Sequence, residues 1–154
     1  MPVKSLMLSG VFSCNDGKAG IPFVKGDEDH PNEKQLACNA SRMTMYLGPD
    51  GRILPCIPMS ETEKSQEYFP KMKGISLREA LTDSAYISFI RTNMGQYLEH
   101  NAKCRLCEYK YRCGGGCRGR AVLANDGEDL LGVDPDACLF FRGGYYDRVK
   151  ELIQ

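Results

Sequence analysis

The stretch "CRLCEYKYRCGGGC", Cys104 to Cys117, packs four of the chain's eight cysteines into fourteen residues. Three consecutive glycines separate the last two, leaving backbone without side chains to pack. Such a segment has to be organised by whatever its sulfurs bind. The first residues lack a basic start, an apolar centre and a small-residue cleavage site, so the chain is expected to be cytoplasmic. Thiols stay reduced there, which favours metal ligands or redox groups over a disulfide framework.

The wider pattern is Cys38-x12-Gly51-x4-Cys56, then Cys104-x2-Cys107-x5-Cys113-x3-Cys117, then Cys138, with Cys14 apart. Cys104 and Cys107 form a pair that can grip one metal centre from a tight turn. Seven ordered thiols suggest two centres. Lys103, Arg105, Lys110, Arg112, Arg118 and Arg120 face only Glu108 between positions 103 and 120, a charge balance that helps hold thiolates deprotonated. Gly114, Gly115 and Gly116 would let amides approach a bulky inorganic group. Spacing alone leaves iron–sulfur and zinc both open, since each accepts four thiolates. Two four-cysteine zinc staples would consume all eight sulfurs, and seven plus one isolated cysteine fits that imperfectly. A thioredoxin-like pair lacks its strand-to-helix context.

At 154 residues the chain is about one domain with a modest core. Lys plus Arg and Asp plus Glu stand at 20 each, giving no support to a nucleic-acid or membrane-surface partner. No apolar run approaches the roughly 20 residues that span a bilayer. "MTMYLGPDGRILPC" predicts a hairpin turning at Gly48-Pro49-Asp50-Gly51, which brings Cys38 and Cys56 toward one end. The polar run from Met59 to Gly74 reads as a loop or flap, and "KGDEDHPNEK" as a solvated loop. Ser76-Leu77-Arg78-Glu79 fits a capping box. Ile87, Ile90, Met94 and Leu98 predict a helical core stripe, and Tyr145, Val149 and Leu152 a final short helix. His30 reads as a solvated-loop residue and His100 as lying near a helix C-terminus, while Arg118 and Arg120 read as tuning a cluster potential, meeting an anionic substrate or forming surface salt bridges. Tyr109 and Tyr111 read as packing over the cysteine loop, and Asp134-Pro135-Asp136 as a turn that aims Cys138.

The joint spacing, with Gly51 five residues before Cys56 and "DPDAC" after the glycine-rich block, resembles the SPASM domain found at the C-terminus of many radical S-adenosylmethionine enzymes. Among those enzymes are anaerobic sulfatase-maturating and peptide-modifying members. The resemblance implies an α+β, half-barrel-like unit over residues 38–142, with residues 1–37 as a lead-in and 143–154 as a C-terminal helix. It implies two auxiliary [4Fe–4S] clusters, zinc being the alternative. Cys38, Cys56 and Cys117 would ligate the first, and Cys104, Cys107, Cys113 and Cys138 the second. The fourth position of the first cluster stays open to Cys14, water, a substrate group or another residue. The chain lacks the Cys-x3-Cys-x2-Cys motif of the radical-generating site, because Arg120 stands where its third cysteine would fall. A non-catalytic C-terminal fragment is therefore expected. Its partners would be the S-adenosylmethionine-binding barrel of the same parent polypeptide and a peptide or protein substrate, with no nucleic acid and no membrane. Its role would be electron relay or substrate positioning.

Overall fold

The computed structural model describes residues 33–38, 45–82 and 84–153, and residues 13–15 and 18–20 by their backbone. His30 and most of the solvated-loop reading lie outside the described residues, as does the Cys14 side chain. Ser13–Asn15 (β1) and Lys18–Gly20 (β2) pair antiparallel, with Cys14 opposite Ala19. The sequence reading passed over this hairpin, although Asp16-Gly17 between the strands is a pair that two-residue hairpin turns favour.

Tyr46–Leu47 (β3) and Ile53–Leu54 (β4) form the hairpin expected from the Gly-Pro-Asp-Gly turn. Gly51 takes φ +77°, its N–H donates to the Gly48 carbonyl at 2.9 Å, and the Gly48 N–H donates to the Arg52 carbonyl at 2.8 Å. Asp50 locks the turn by accepting from the Arg52 amide at 3.1 Å and from Lys71 Nζ at 2.9 Å. The Lys71 hydrogen bond is the main reason its carboxyl titrates below the usual range.

A 3-10 turn over Ile57–Ser60 and a helix over Glu63–Glu67 (α1) occupy the run expected to be a loop. The helix escapes apolar periodicity because its buried anchor is polar. Ser65 is buried, and its hydroxyl donates to the Met59 carbonyl at 2.8 Å while accepting from Thr62 at 2.6 Å. Leu77–Ala80 (α2) begins with the expected capping box: Ser76 accepts from the Glu79 amide, and Glu79 accepts from the Ser76 amide at 2.7 Å.

The apolar stripe expected from Ala85 to Leu98 divides into Ala85–Arg91 (α3) and Met94–His100 (α4). Asn93 breaks it, forming a second capping box with Gln96. Ala102–Arg105 (α5), Lys110–Cys113 (α6), Arg118–Ala124 (α7), Pro135–Arg142 (α8) and Tyr145–Ile153 (α9) complete the order. The described residues are thus mixed helical with small antiparallel hairpins, compatible with an α+β class. None of these helices is long and apolar enough to cross a membrane.

One core joins Ile53, Leu54, Met59, Phe69, Tyr86, Phe89 and Val122, with Phe69 and Phe89 edge to face at 5.8 Å. In α3 it is Tyr86 and Phe89 that are buried, while Ile87 and Ile90 are half-buried against them. A second core gathers Ala37, Met94, Tyr97 and Leu98, with Cys104 packed against it. Phe141 and Tyr146 stack at 5.0 Å and hold α9 on α8. The thiol-bearing segments lie along the edges of these cores.

Candidate metal centres

Cys104 and Cys107 close a tight turn, the Cys107 amide donating to the Cys104 carbonyl at 3.0 Å and the Lys110 amide to the Cys107 carbonyl at 3.2 Å. Cys113 ends α6, and Cys138 lies in α8. All four line one cavity of about 660 Å³, shared with Tyr109 and Leu139. Tyr109 forms an aromatic wall, packing on Phe141 at 5.6 Å and donating to Asp147 at 3.2 Å, in line with the packing role expected for it. The neighbouring Tyr111 instead donates to Glu33 at 3.4 Å.

Gly115, the middle of the glycine triplet, lines this cavity. Gly114, Gly115 and Gly116 all adopt left-handed φ, from +56° to +76°. A Cβ on Gly115 would fall 2.2 Å from the Tyr97 ring, and one on Gly116 would fall 2.5 Å from both Asp134 and Ala137. The Gly114 and Gly116 amides are used within the protein, donating to the Lys110 and Cys113 carbonyls. Gly115 and Gly116 thus also allow close approach to Tyr97, Arg118, Asp134 and Ala137.

Arg118 is buried, at 1% exposure. Its guanidinium lies 4.4 Å over the Tyr97 ring, donates to the Gly132 carbonyl at 2.6 Å and to the Gly115 carbonyl, and has an Nε without a partner among the described residues. Tyr97 is fully buried, with its hydroxyl 3.4 Å from Cys104 Sγ. Burial pushes its phenol far above the ordinary value, partly offset by the Arg118 cation, so the hydroxyl keeps its proton. Sequence marked Arg118 as a possible tuning residue but gave no sign that it was buried, and passed over Tyr97.

Cys38, Cys56 and Cys117 form the second group. Cys56 ends the hairpin and caps the 3-10 turn, while Cys117 caps α7. Gly119 lets the two segments meet, since a Cβ there would fall 2.8 Å from Pro58 and 3.3 Å from Cys56 Sγ. Burial pushes the Cys56 thiol up to about 11, and the nearby Cys117 and Cys38 sulfurs add to the rise. Cys117 thus faces Cys56 while its backbone runs on from the four-thiol cavity.

Asp134 ties the two groups together. Buried at 1% exposure, it accepts through Oδ2 from the Cys117 amide at 2.9 Å and through Oδ1 from the Asp136 and Ala137 amides at 3.0 and 3.2 Å. The "DPDAC" turn is therefore a helix N-cap that also holds the Cys117 loop. Arg120 pairs with Asp136 at the surface, and His100, at the C-terminus of α4, meets Asp129 at 2.9 Å. The surface pairing of Arg120 and the helix-terminal place of His100 are the positions expected for them.

The seven cysteines from Cys38 to Cys138 are half-exposed and in no disulfide. Tetrahedral zinc, with Zn–S bonds of about 2.3 Å, would draw its four sulfurs to within roughly 4 Å of one another. Among the described residues no three Cys, His, Asp or Glu side chains are gathered tightly enough to hold a single ion. Four thiols bordering one cavity are a donor set that suits a thiolate-bound metal group. Residues 38–109, just under half of the chain, match the family model of SPASM, an iron–sulfur cluster-binding domain. No solved structure matches the chain significantly. The match includes Cys38, Cys56, Cys104 and Cys107; Cys113, Cys117 and Cys138 join them through the geometry above.

Proposed function

We propose, from the match of residues 38–109 to the SPASM family model, that the chain is an iron–sulfur cluster-binding domain of this kind and holds two [4Fe–4S] clusters. Cys104, Cys107, Cys113 and Cys138 ligate one. Cys38, Cys56 and Cys117 ligate the other, with a fourth ligand from Cys14, water, substrate or another residue. The two-cluster unit extends over residues 38–142. The observation that carries this reading is the convergence of four thiols, three from the Cys104–Cys113 stretch and one from α8, on one cavity.

The clusters relay electrons, or help position a peptide or protein substrate, for a radical S-adenosylmethionine enzyme in the cytoplasm. The protein's own contribution is ligand placement, a shielded site and tuning of potential, while the clusters supply the redox chemistry. The radical-generating motif is absent from these residues, so the barrel domain of the parent polypeptide supplies that chemistry.

Anaerobic reconstitution followed by iron, acid-labile sulfide and zinc analysis tests the reading. The expected content is about eight irons and eight sulfides per chain, falling by about half in either Cys138→Ser or Cys56→Ser. About two zinc ions with no sulfide would replace it with a zinc-stapled binding module.

A further inference from the structure

Arg118 is a buried cation whose contacts are three backbone carbonyls, those of Gly115, Leu131 and Gly132, and the face of Tyr97. Among the described residues no carboxylate forms an ion pair with it. A buried charge without a counter-charge is costly, so an uncompensated cation at such a position marks where negative charge is to be met. Gly115, which accepts from Arg118, and Cys104, which meets the Tyr97 hydroxyl, both line the four-cysteine cavity. Cysteines that bind a metal group do so as thiolates, so a group held there would bring the missing negative charge. Carbonyls satisfy the hydrogen bonds of the guanidinium but leave its charge in place.

We propose that Tyr97 and Arg118 are positioning residues that raise the reduction potential of the cluster held by Cys104, Cys107, Cys113 and Cys138. The inference rests on the cluster reading above. A cluster-bound Cys104 carries no proton, which makes the Tyr97 O–H the donor across their 3.4 Å contact, and the Arg118 charge lies over the face of the ring. Reduction adds one electron, and therefore negative charge, to the cluster and its thiolates. A hydrogen-bond donor and a cation both stabilise that added charge, so the reduced form is favoured.

The test uses the full chain, reconstituted anaerobically, with the midpoint of each cluster followed by electron paramagnetic resonance during redox titration. Removing the donor in Tyr97→Phe is expected to cut the reduced-to-oxidised ratio of this cluster about tenfold at fixed potential, a midpoint lower by about 59 mV for one electron. Tyr97→3-fluorotyrosine, a stronger donor of nearly the same shape, is expected to move the midpoint upward. The cluster of Cys38, Cys56 and Cys117 serves as the internal reference and stays put. A purely structural role for Tyr97 would alter iron content without shifts of opposite sign. Normal iron and sulfide with an unmoved midpoint in both variants overturns the inference alone. If Tyr97→Phe fails to load, the fluorotyrosine variant decides by itself. A wild-type chain that takes up no iron and sulfide overturns the cluster reading and this inference together.

Discussion

Gly115→Ala and Gly144→Ala form a matched pair that isolates what the glycine triplet does. The two glycines share nearly the same left-handed backbone, φ +73° and +76°. A side chain in that conformation costs about 1–2 kcal/mol, and the stiffening of the unfolded chain is common to both substitutions. Their surroundings differ. A Cβ at Gly144 meets nothing within 4 Å, whereas one at Gly115 falls 2.2 Å from Tyr97 and 2.6 Å from Arg118. Neither neighbour can retreat, since Tyr97 is fully buried and Arg118 is held by carbonyls. Overpacking of this kind adds about 1–3 kcal/mol, which places Gly115→Ala about 2–5 kcal/mol below wild type. At about 2–4 °C per kcal/mol for a chain of this size, Gly115→Ala should melt about 2–12 °C below Gly144→Ala. Thermal unfolding followed by circular dichroism, with both variants prepared identically under argon, measures the difference. Equal melting temperatures would refute the close fit of the triplet against Tyr97 and Arg118.

Asp134→Ala removes an N-cap and strands the Cys117 amide, a loss of about 2–4 kcal/mol that urea unfolding will read, with lower iron retention after desalting. An Asp134→Ala chain with wild-type stability would remove this residue from the link between Cys117 and α8. Metal-free protein should lose stability as pH rises from about 9 to about 11, because folded Cys56 keeps its proton where the unfolded thiol, near 9.0, has given it up. In that window the unfolded state binds fewer protons, so unfolding becomes easier; denaturation midpoints flat from pH 8 to 11 in metal-free protein would contradict the burial of Cys56. Ser76→Ala should cost about 1 kcal/mol through loss of the capping box, leaving iron and sulfide content unchanged. Reduced metal content in that variant would tie α2 to the clusters.

What could be read directly from sequence was local. Gly48-Pro49-Asp50-Gly51 and Ser76-x2-Glu79 each state their geometry within four residues, and each stands as expected. The Asn93-x2-Gln96 box is just as local, but it was masked by Met94 and Leu98 continuing the helical spacing of Ile87 and Ile90 across the break. Helix α1 escaped for the opposite reason: its buried residue is Ser65, which no apolar pattern reveals. The cysteine block announced sulfur chemistry, but the approach of Cys138 to Cys104 depends on Asp134, Gly116 and the stacking beneath α8, all non-local. Arg118 could be marked from sequence as a tuning or a surface-paired cation, but not as a buried one. The three carbonyls that receive it come from positions 115, 131 and 132, and nothing in their side chains signals the role.

A carboxyl group is only a few atoms wide, and the two oxygens of Asp134 are held by different stretches of chain. The gap between the Cys117 turn and the first residues of the Cys138 helix is therefore gauged at its buried side by one short side chain, with the Arg120–Asp136 pair as a second tie at the surface. Of the two ties the buried one is the shorter, so the relative placement of Cys117 and Cys138 draws on the stiffness of a doubly anchored aspartate.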